Sequence, residues 1–342
     1  MKKRFISAVI LMLVMAAVLI MGGCTGNSPA NGDKSSDNGT GASNGSQQDA
    51  DKEGGSINGS TPNGGSTNNS GSENGDGTGS NGSGNDGGTS GKCEITAFSI
   101  GKADSLLIIS GDASILIDTG EEESAEYICN GIREKGVEKL DLLVITHFDR
   151  DHAGGIGQIM QEFDTDKVIY PDYANTKDGY MTFRRAVSGR LNDDKVTAVS
   201  EYNIGSLNLT VYPEENPDAL RAKSNDFDND MSLVCMLRYK DYRFLFAGDI
   251  EKERTDELLD SGIDLKCDWI KMPHHGRYNK KIKGLLDICA ASYAVVTDSD
   301  DVIAETDTLV ELQKRKVKTL STRNGDVVTV ADENGISVKN VE

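Results

Sequence analysis

The chain contains four histidines, and both segments that carry them follow an apolar run typical of a β-strand. The four are His147, His152, His274 and His275. Residues 141–155 read DLLVITHFDRDHAGG, so Asp149 and Asp151 stand between the first two histidines, and residues 272–276 read MPHHG. Imidazole and carboxylate groups crowded at a strand end repel or desolvate one another unless a cation holds them. The spacing predicts a divalent metal site, with an exposed acidic turn as the alternative interpretation.

Divalent ions at such a site would perform hydrolytic chemistry. Two ions a few ångströms apart lower the pKa of a bound water from 15.7 toward about 7, and they stabilise charge during displacement at phosphorus or at a carbonyl carbon. The ligands must then come from strand ends that converge in the fold.

The elements that must position these residues are visible as two kinds of periodicity. Strand-like stretches are CEITAFSI (93–100), SLLIIS (105–110), SILID (114–118), LLVIT (142–146), VIY (168–170), VTAVS (196–200), LNLTVY (207–212), SLVCMLRY (232–239), YRFLFAG (242–248) and YAVVT (293–297). Helix-like spacing occurs at 123–135, 154–163, 251–260 and 305–315. Strands with helices between them predict an α/β sandwich.

The segment HFDRDHAGG at 147–155 resembles the His-x-Asp-x-Asp-His motif of ComEC-like members of the metallo-β-lactamase superfamily, which carry aspartate where the founding enzymes carry a second histidine. Further segments resemble the family in the same order: FSIGKADSLLI (98–108), ILIDTG (115–120), NDMSLV (229–234), FLFAGD (244–249) and MPHHG (272–276). The resemblance extends from residue 93 to the C-terminus. It implies a four-layer αββα fold and a metal-dependent hydrolase.

The same resemblance implies a ligand set. His147 and Asp149 would hold a first ion, Asp151 and His152 a second, and Asp249 would bridge them. One of His274 and His275, which the motif does not distinguish, would complete the second site. Asn229 would be a neutral, weaker ligand of the first ion. Asp118 would support the His-x-Asp-x-Asp-His loop through hydrogen bonds.

Departures from the family pattern affect the expected metal content. Asn229 replaces a histidine at the first site, so one or two ions per chain are expected. Additional oxygen ligands move the preference from zinc toward harder ions such as manganese or magnesium, but only by degree. The opening turn contains Lys102 and Ala103 instead of glutamine and glycine, and Arg277 stands where relatives often have serine.

The composition divides the chain into three regions. Residues 1–24 have a basic start, an apolar run and Gly-Gly-Cys, which predicts a lipoprotein signal with Cys24 lipidated; an uncleaved anchor helix is the alternative. Residues 25–92 are rich in Gly, Ser and Asn, which predicts a disordered tether. Residues 93–342 are expected to form the hydrolase domain, anchored to the cell membrane on its extracellular face.

The charge balance restricts the partners. The first 92 residues hold six basic and eight acidic residues, so the domain carries seventeen of the nineteen net negative charges. Such a surface disfavours nonspecific binding to duplex DNA. A small molecule or a short single strand is the expected substrate, and no feature indicates a protein partner. The five domain cysteines are expected to be buried thiols, with disulfides as the alternative.

The resulting hypothesis is an extracellular metal-dependent hydrolase of phosphodiester bonds in nucleic acid or a nucleotide. A metal-activated water would attack, and Asp249 or Asp151 would take the proton. Arg277, in a basic stretch at 266–283, would bind the anionic substrate, unless that stretch is only a solvated face. Two alternatives stay open: a hydrolase of esters, lactones or lactams, and a non-catalytic surface binding module on the same fold.

Overall fold

The computed structural model describes residues 91–190 and 192–341. The predicted signal at 1–24, with Cys24, and almost all of the predicted tether at 25–92 lie outside the described residues. Those two interpretations therefore stay predictions. Within the described part of the chain, no helix has the length and apolar character needed to cross a membrane.

The described residues form seventeen β-strands. In chain order these are β1 (Cys93–Ala97), β2 (Leu106–Ser110), β3 (Ala113–Ile117), β4 (Lys139–Leu140), β5 (Leu142–Val144), β6 (Asp164–Thr165), β7 (Val168–Pro171), β8 (Asp193–Val196), β9 (Ser200–Ile204), β10 (Leu207–Tyr212), β11 (Val234–Tyr239), β12 (Tyr242–Phe246), β13 (Trp269–Lys271), β14 (Tyr293–Val296), β15 (Lys318–Ser321), β16 (Asp326–Asp332) and β17 (Gly335–Val341).

The same residues form nine α-helices and three short 3₁₀ turns. The helices are α1 (Ala125–Glu134), α2 (Arg150–Ala153), α3 (Ile156–Glu162), α4 (Asp178–Val187), α5 (Pro217–Arg221), α6 (Phe227–Asp230), α7 (Lys252–Asp260), α8 (Ile282–Cys289) and α9 (Thr306–Lys314). The 3₁₀ turns are Glu122–Ser124, Pro273–Gly276 and Thr322–Asn324.

Two large sheets contain fifteen of these strands. The first has the order β17-β16-β1-β2-β3-β5-β7-β8, and the second has the order β15-β14-β13-β12-β11-β10-β9. Strands β3, β5, β7 and β8 run parallel, as do β12 to β15, and the other neighbours are antiparallel. Because the carboxyl ends of parallel strands meet at one edge, the loops after β3, β5, β12 and β13 can meet in one place.

Alternation along the central strands shows that both faces of each sheet are buried. In β5, Leu142 packs between the two sheets, whereas Leu143 packs against the helices on the outer face. In β12, Phe244 points into the layer between the sheets, and Leu245 packs beneath the outer helices. Each such buried side chain contributes about 1.5–3 kcal/mol relative to exposure. Two sheets packed face to face and covered by helices on both outer faces confirm the predicted αββα fold.

One predicted strand is wrong. VTAVS at 196–200 is the connection between β8 in the first sheet and β9 in the second, so only its ends lie in strands. Val199 in this connection is 48% exposed. The β-branched residues Val and Thr favour a strand, but the chain crosses from the first sheet to the second at this point. The prediction of buried thiols is confirmed, since Cys93, Cys129, Cys235, Cys267 and Cys289 are all buried and unpaired.

Candidate metal centre

The turn after β3 fixes the loop after β5. The Asp118 carboxylate accepts a hydrogen bond from the backbone N–H of Thr146 at 2.7 Å and another from its hydroxyl at 2.7 Å. Backbone bonds add to this: Asp118 N donates to the Val144 carbonyl at 2.8 Å, and Thr119 N donates to the His152 carbonyl at 2.7 Å. Asp118 has a φ of 60°, a conformation that aspartate tolerates better than most residues. These contacts agree with the supporting role predicted for Asp118, which stays a prediction until metal binding is measured.

The opening turn between β1 and β2 joins the same cluster. Asp104 N donates to the Asp151 carbonyl at 3.0 Å, and Gly120 N donates to the Asp104 carbonyl at 2.8 Å. The Asp104 side chain is fully buried and forms an ion pair with Lys271. Three loops of the first sheet are therefore held together at this edge.

The second sheet supplies Asp249 and the histidine pair. Asp249 follows β12, and its backbone N–H donates to the Ser232 hydroxyl at 3.0 Å. His274 and His275 both have positive φ, at 44° and 53°, which costs on the order of 1–3 kcal/mol per residue and is common at functional sites. Gly276 continues the turn at φ 82°, and a Cβ there would lie 2.7 Å from the Ala304 Cβ. The turn thus requires glycine after the pair.

Three imidazoles converge on one buried place. The Nε2 atoms of His147, His152 and His275 are buried and have no hydrogen-bond partner. His152 Nε2 lies 3.3 Å from Asp249 Oδ1, and His275 Nε2 lies 3.1 Å from Asp249 Oδ2 and 3.4 Å from Asp151 Oδ2. Ligand atoms of His147, His152 and Asp249 lie within 4.8 Å of one another, as do those of Asp151, His152 and His275. A buried polar atom without a partner costs about 1–3 kcal/mol, and a cation would remove that cost. These residues fit a divalent ion.

The other ring nitrogens are held by acceptors. His152 Nδ1 lies 2.8 Å from Asp118 Oδ2, and His275 Nδ1 lies 2.9 Å from the Thr297 carbonyl. A carbonyl oxygen can only accept, so His275 Nδ1 carries a proton and its Nε2 atom faces Asp249. A hydrogen bond that fixes the ring in this way is typical of metal-ligating histidines.

The geometry also separates the two neighbouring histidines. His275 lies in the cluster, whereas His274 Nδ1 is 3.0 Å from Glu251 Oε1 and 3.4 Å from the Asn229 amide nitrogen. His274 Nε2 is 3.8 Å from Asp249 Oδ2. The structure therefore favours His275 as the ligand, a choice that the motif left open.

Asp149 and Asn229 are arranged differently from the other predicted ligands. Asp149 belongs to none of the metal-ligand clusters formed by residues 91–190 and 192–341; its Oδ1 atom lies 2.9 Å from Lys177 Nζ. Lys177 Nζ is also 2.7 Å from Asp228 Oδ2. Asn229 Oδ1 is buried without a hydrogen-bond partner. The ligand roles of Asp149 and Asn229 stay predictions.

Burial and charge set the protonation of the cluster. Burial, together with the positive charge of His152, lowers the pKa of His147 to about 3. Burial also opposes the charged form of His152, but the carboxylates of Asp249, Asp118 and Asp104 raise its pKa well above the usual value. Protons and a metal ion compete for the same ring nitrogens, so ion binding is expected to release protons.

Three residues near the cluster were not assigned a role from sequence. Lys271 is fully buried, and its Nζ atom contacts Asp104 and lies 3.4 Å from Asp249 Oδ1. Lys102 Nζ lies 2.5 Å from Asp151 Oδ2. The sequence did contain an indication for Lys271. A lysine that follows the apolar residues WI and precedes MPHHG is unusual in a buried strand. Asp104 stood in the motif that was compared with the family, but its contact with Lys271 required the fold.

The basic stretch at 266–283 is divided by the fold. Arg277 is 56% exposed and lies 3.1 Å from Glu251 Oε1, beside His274 at a pocket of about 110 Å³. Lys281 and Lys283 pair instead with acids on neighbouring helices, Asp256 and Glu311. Part of the stretch is thus a solvated face, and Arg277 lies near the centre.

One family model matches part of the chain. Residues 100–222 match the family described as the metallo-beta-lactamase superfamily. This chain carries a metallo-β-lactamase superfamily domain. Its curated relatives include ComE operon protein 3 of Bacillus subtilis, 23% identical over 206 residues, covering 55% of this chain and 26% of the relative. Recombination protein 2 of Haemophilus influenzae is 24% identical over 209 residues, covering 60% of this chain and 24% of the relative.

The metallo-β-lactamase domain spans only a part of those relatives, since the chain covers about a quarter of their length. Solved structures that resemble part of this chain include the metallo-beta-lactamase fold protein YhfI from Bacillus subtilis, at 11% identity and a TM-score of 0.44, covering 67% of this chain and 95% of that one. MEM-A1, a subclass B3 metallo-beta-lactamase from a soil metagenome library, has 16% identity and a TM-score of 0.37, covering 58% of this chain and 80% of that one.

Proposed function

We propose that this protein is an extracellular, membrane-tethered, metal-dependent hydrolase of phosphodiester bonds in nucleic acid or a nucleotide. The observation that carries the proposal is the convergence of three unpartnered imidazole nitrogens, from His147, His152 and His275, on the carboxylates of Asp151 and Asp249. A buried arrangement of this kind is costly to the fold unless a cation completes it.

These five residues would hold the ion. A bound divalent ion supplies Lewis acidity, which activates a water molecule and offsets negative charge on the substrate. Three imidazoles suit zinc, and the two carboxylates also suit manganese, so both ions are candidates.

The remaining residues position groups and handle protons. Asp118 and Thr297 hold His152 and His275 so that their Nε2 atoms face the site. The carboxylate of Asp249 or Asp151 accepts the proton from the attacking water. Lys102, at 32% side-chain exposure, lies where its ammonium can stabilise charge that develops on the substrate.

The choice of a phosphodiester is supported by charge and by the relatives. Curated relatives have names that refer to competence and to recombination, and recombination acts on nucleic acid. The domain is strongly acidic and repels duplex DNA, whereas Lys102, Lys177 and Arg277 place cations near the centre. A nucleotide or a short single strand suits such a surface better than a duplex.

The test compares substrates on the purified full-length chain in detergent. Turnover of a phosphodiester reporter and of a lactone reporter is measured with zinc and with manganese. We expect phosphodiester turnover that is abolished by a chelator and restored by the ion. Turnover of lactones alone would favour the ester, lactone or lactam alternative. A chain that binds no ion and turns over neither reporter would be a surface binding module.

The proposed location has its own measurement. The signal and Cys24 predict a lipid anchor, so the wild-type chain should sediment with membranes and be accessible to protease added to whole cells. Cys24→Ala should remove the lipid and change the electrophoretic mobility of the chain. An equal membrane fraction and unchanged mobility for Cys24→Ala would instead favour the uncleaved anchor helix.

A further inference from the structure

The ammonium of Lys177 joins two carboxylates beside the His-x-Asp-x-Asp-His loop. Its Nζ atom lies 2.9 Å from Asp149 Oδ1 and 2.7 Å from Asp228 Oδ2. Asn175 donates a further hydrogen bond to Asp228 Oδ2 at 3.1 Å. The Lys177 side chain is half-exposed, whereas Asp228 is buried. A lysine from the segment after β7 thus occupies the carboxylate that a first metal ion would need.

We propose that Lys177 takes the place of the first metal ion, so that the centre binds a single divalent ion at His147, His152, His275, Asp151 and Asp249. The inference rests on the proposed function, because it presumes that this centre binds metal. It concerns only how many ions the centre holds and which residue supplies the second positive charge.

Electrostatics argues against an ion and Lys177 sharing Asp149. Because Lys177 is half-exposed, solvent screens its charge; a divalent ion 4 Å away would still repel the ammonium by about 2 kcal/mol even in bulk water, and by more where water is excluded. An ion that displaced Lys177 would also leave the buried Asp228 without its cation. An uncompensated buried charge is strongly destabilising.

The ligands that remain for a first ion are weak. Beyond Asp149, the predicted first site offers His147 and the neutral amide of Asn229, whose Oδ1 atom is buried without a partner. His147 already lies in the cluster with His152 and Asp249. The five ligands of the proposed single ion are two carboxylates and three imidazoles, so an ion binds more tightly there than at the first site.

Metal content measures the inference directly. The purified full-length chain is reconstituted with zinc or manganese, and excess ion is removed. The number of bound ions per chain is then measured by inductively coupled plasma mass spectrometry. Wild type should hold one ion. Lys177→Met removes the ammonium and frees Asp149 and Asp228, so it should hold two. Lys177→Arg keeps the charge and should hold one.

A matched control shows whether the gain of a second ion is specific to Lys177 or follows the removal of any lysine from this region. Lys167 is 39% exposed and pairs with Asp194 in front of β7, at the opposite end of that strand. Lys167→Met should leave one ion. Asp149→Ala should also leave one, because Asp149 is not a ligand of the ion.

The failures of the two proposals are distinguishable. Two ions in wild type, one ion in Lys177→Met, or loss of the ion in Asp149→Ala would each overturn the inference and leave the metal-dependent function standing. No ion in wild type after reconstitution would overturn the proposed function, and the inference with it.

Discussion

On one side of the centre, His152, Asp249 and His275 are buried, and each is tied to the fold by at least one hydrogen bond, from a side chain or the backbone. On the other side, Asp149 and Lys177 are partly exposed and pair with each other, with side-chain exposures of 26% and 50%. The first side is rigid and its donors are already oriented. The second side is an ion pair that solvent reaches.

The difference shows how one motif can be used in two ways. Buried donors whose other atoms are hydrogen-bonded lose little entropy when an ion binds, so this side can give high affinity. An exposed ion pair contributes only about 0–1 kcal/mol, because solvent screens it. The Lys177–Asp149 pair by itself therefore contributes little to the stability of the domain, and it is the contact with the buried Asp228 that holds the ammonium beside Asp149.

Removal of Asp249 should have the largest effect on metal binding and turnover. A small effect would contradict the idea that the buried side of the centre binds the ion. Asp249 lies near two imidazole nitrogens and Lys271, so Asp249→Ala should reduce metal affinity and turnover together. Since even supporting partners of ligands are worth about 10–100-fold, we expect a loss above about 100-fold. Metal content and phosphodiester turnover are the measurements.

The control for that variant is another buried carboxylate. Asp230 accepts hydrogen bonds from the backbone of Glu251 and Arg254 at the start of α7 and is not one of the five proposed ligands. Asp230→Ala should lower the melting temperature and keep the ion. Normal metal content in Asp249→Ala would show that the buried side is not the metal site.

A change to Asp118 should have an intermediate effect. Asp118→Asn keeps the shape but weakens the acceptor that holds His152 Nδ1 and the Thr146 hydroxyl. Metal affinity, measured by competition with a chelator, should fall by about 10–100-fold. Asp141→Asn is the matched control, because Asp141 accepts from Ser114 N just before β5, away from the centre. Equal affinities in wild type and Asp118→Asn would contradict the orienting role.

The smallest expected effect is at the exposed edge. Arg277→Ala should raise the KM of an anionic phosphodiester by up to about fivefold, because an exposed charge contributes at most about 1 kcal/mol. A neutral substrate should be little affected, and the effect should be largest at low salt. Lys283→Ala, with similar exposure in the same stretch, should change neither KM. Identical kinetics for Arg277→Ala and wild type would assign Arg277 to the solvated face.

Much of the fold could be predicted because its central strands are locally distinctive. Strands β3, β5 and β12 have apolar side chains on both faces, and four helices with clear apolar periodicity were predicted within a few residues of their bounds. Strands β16 and β17 at the end of the chain were missed. They form a hairpin with the two-residue turn Glu333-Asn334, and β16 completes the first sheet by pairing with β1, more than 200 residues away.

For this protein, the sequence by itself determined the chemical types, order and strand-end positions of the candidate ligands. Imidazole and carboxylate groups are local properties of the motifs, so they could be identified without the fold. The tertiary structure decided that His275 and not His274 enters the cluster, because two consecutive residues with positive φ turn the rings apart. It also paired Asp149 with Lys177 and Asp104 with Lys271. Those partners are 28 and 167 residues apart. The first contact joins the loops after β5 and β7 in one sheet, and the second depends on how the two sheets pack. No local pattern encodes either contact.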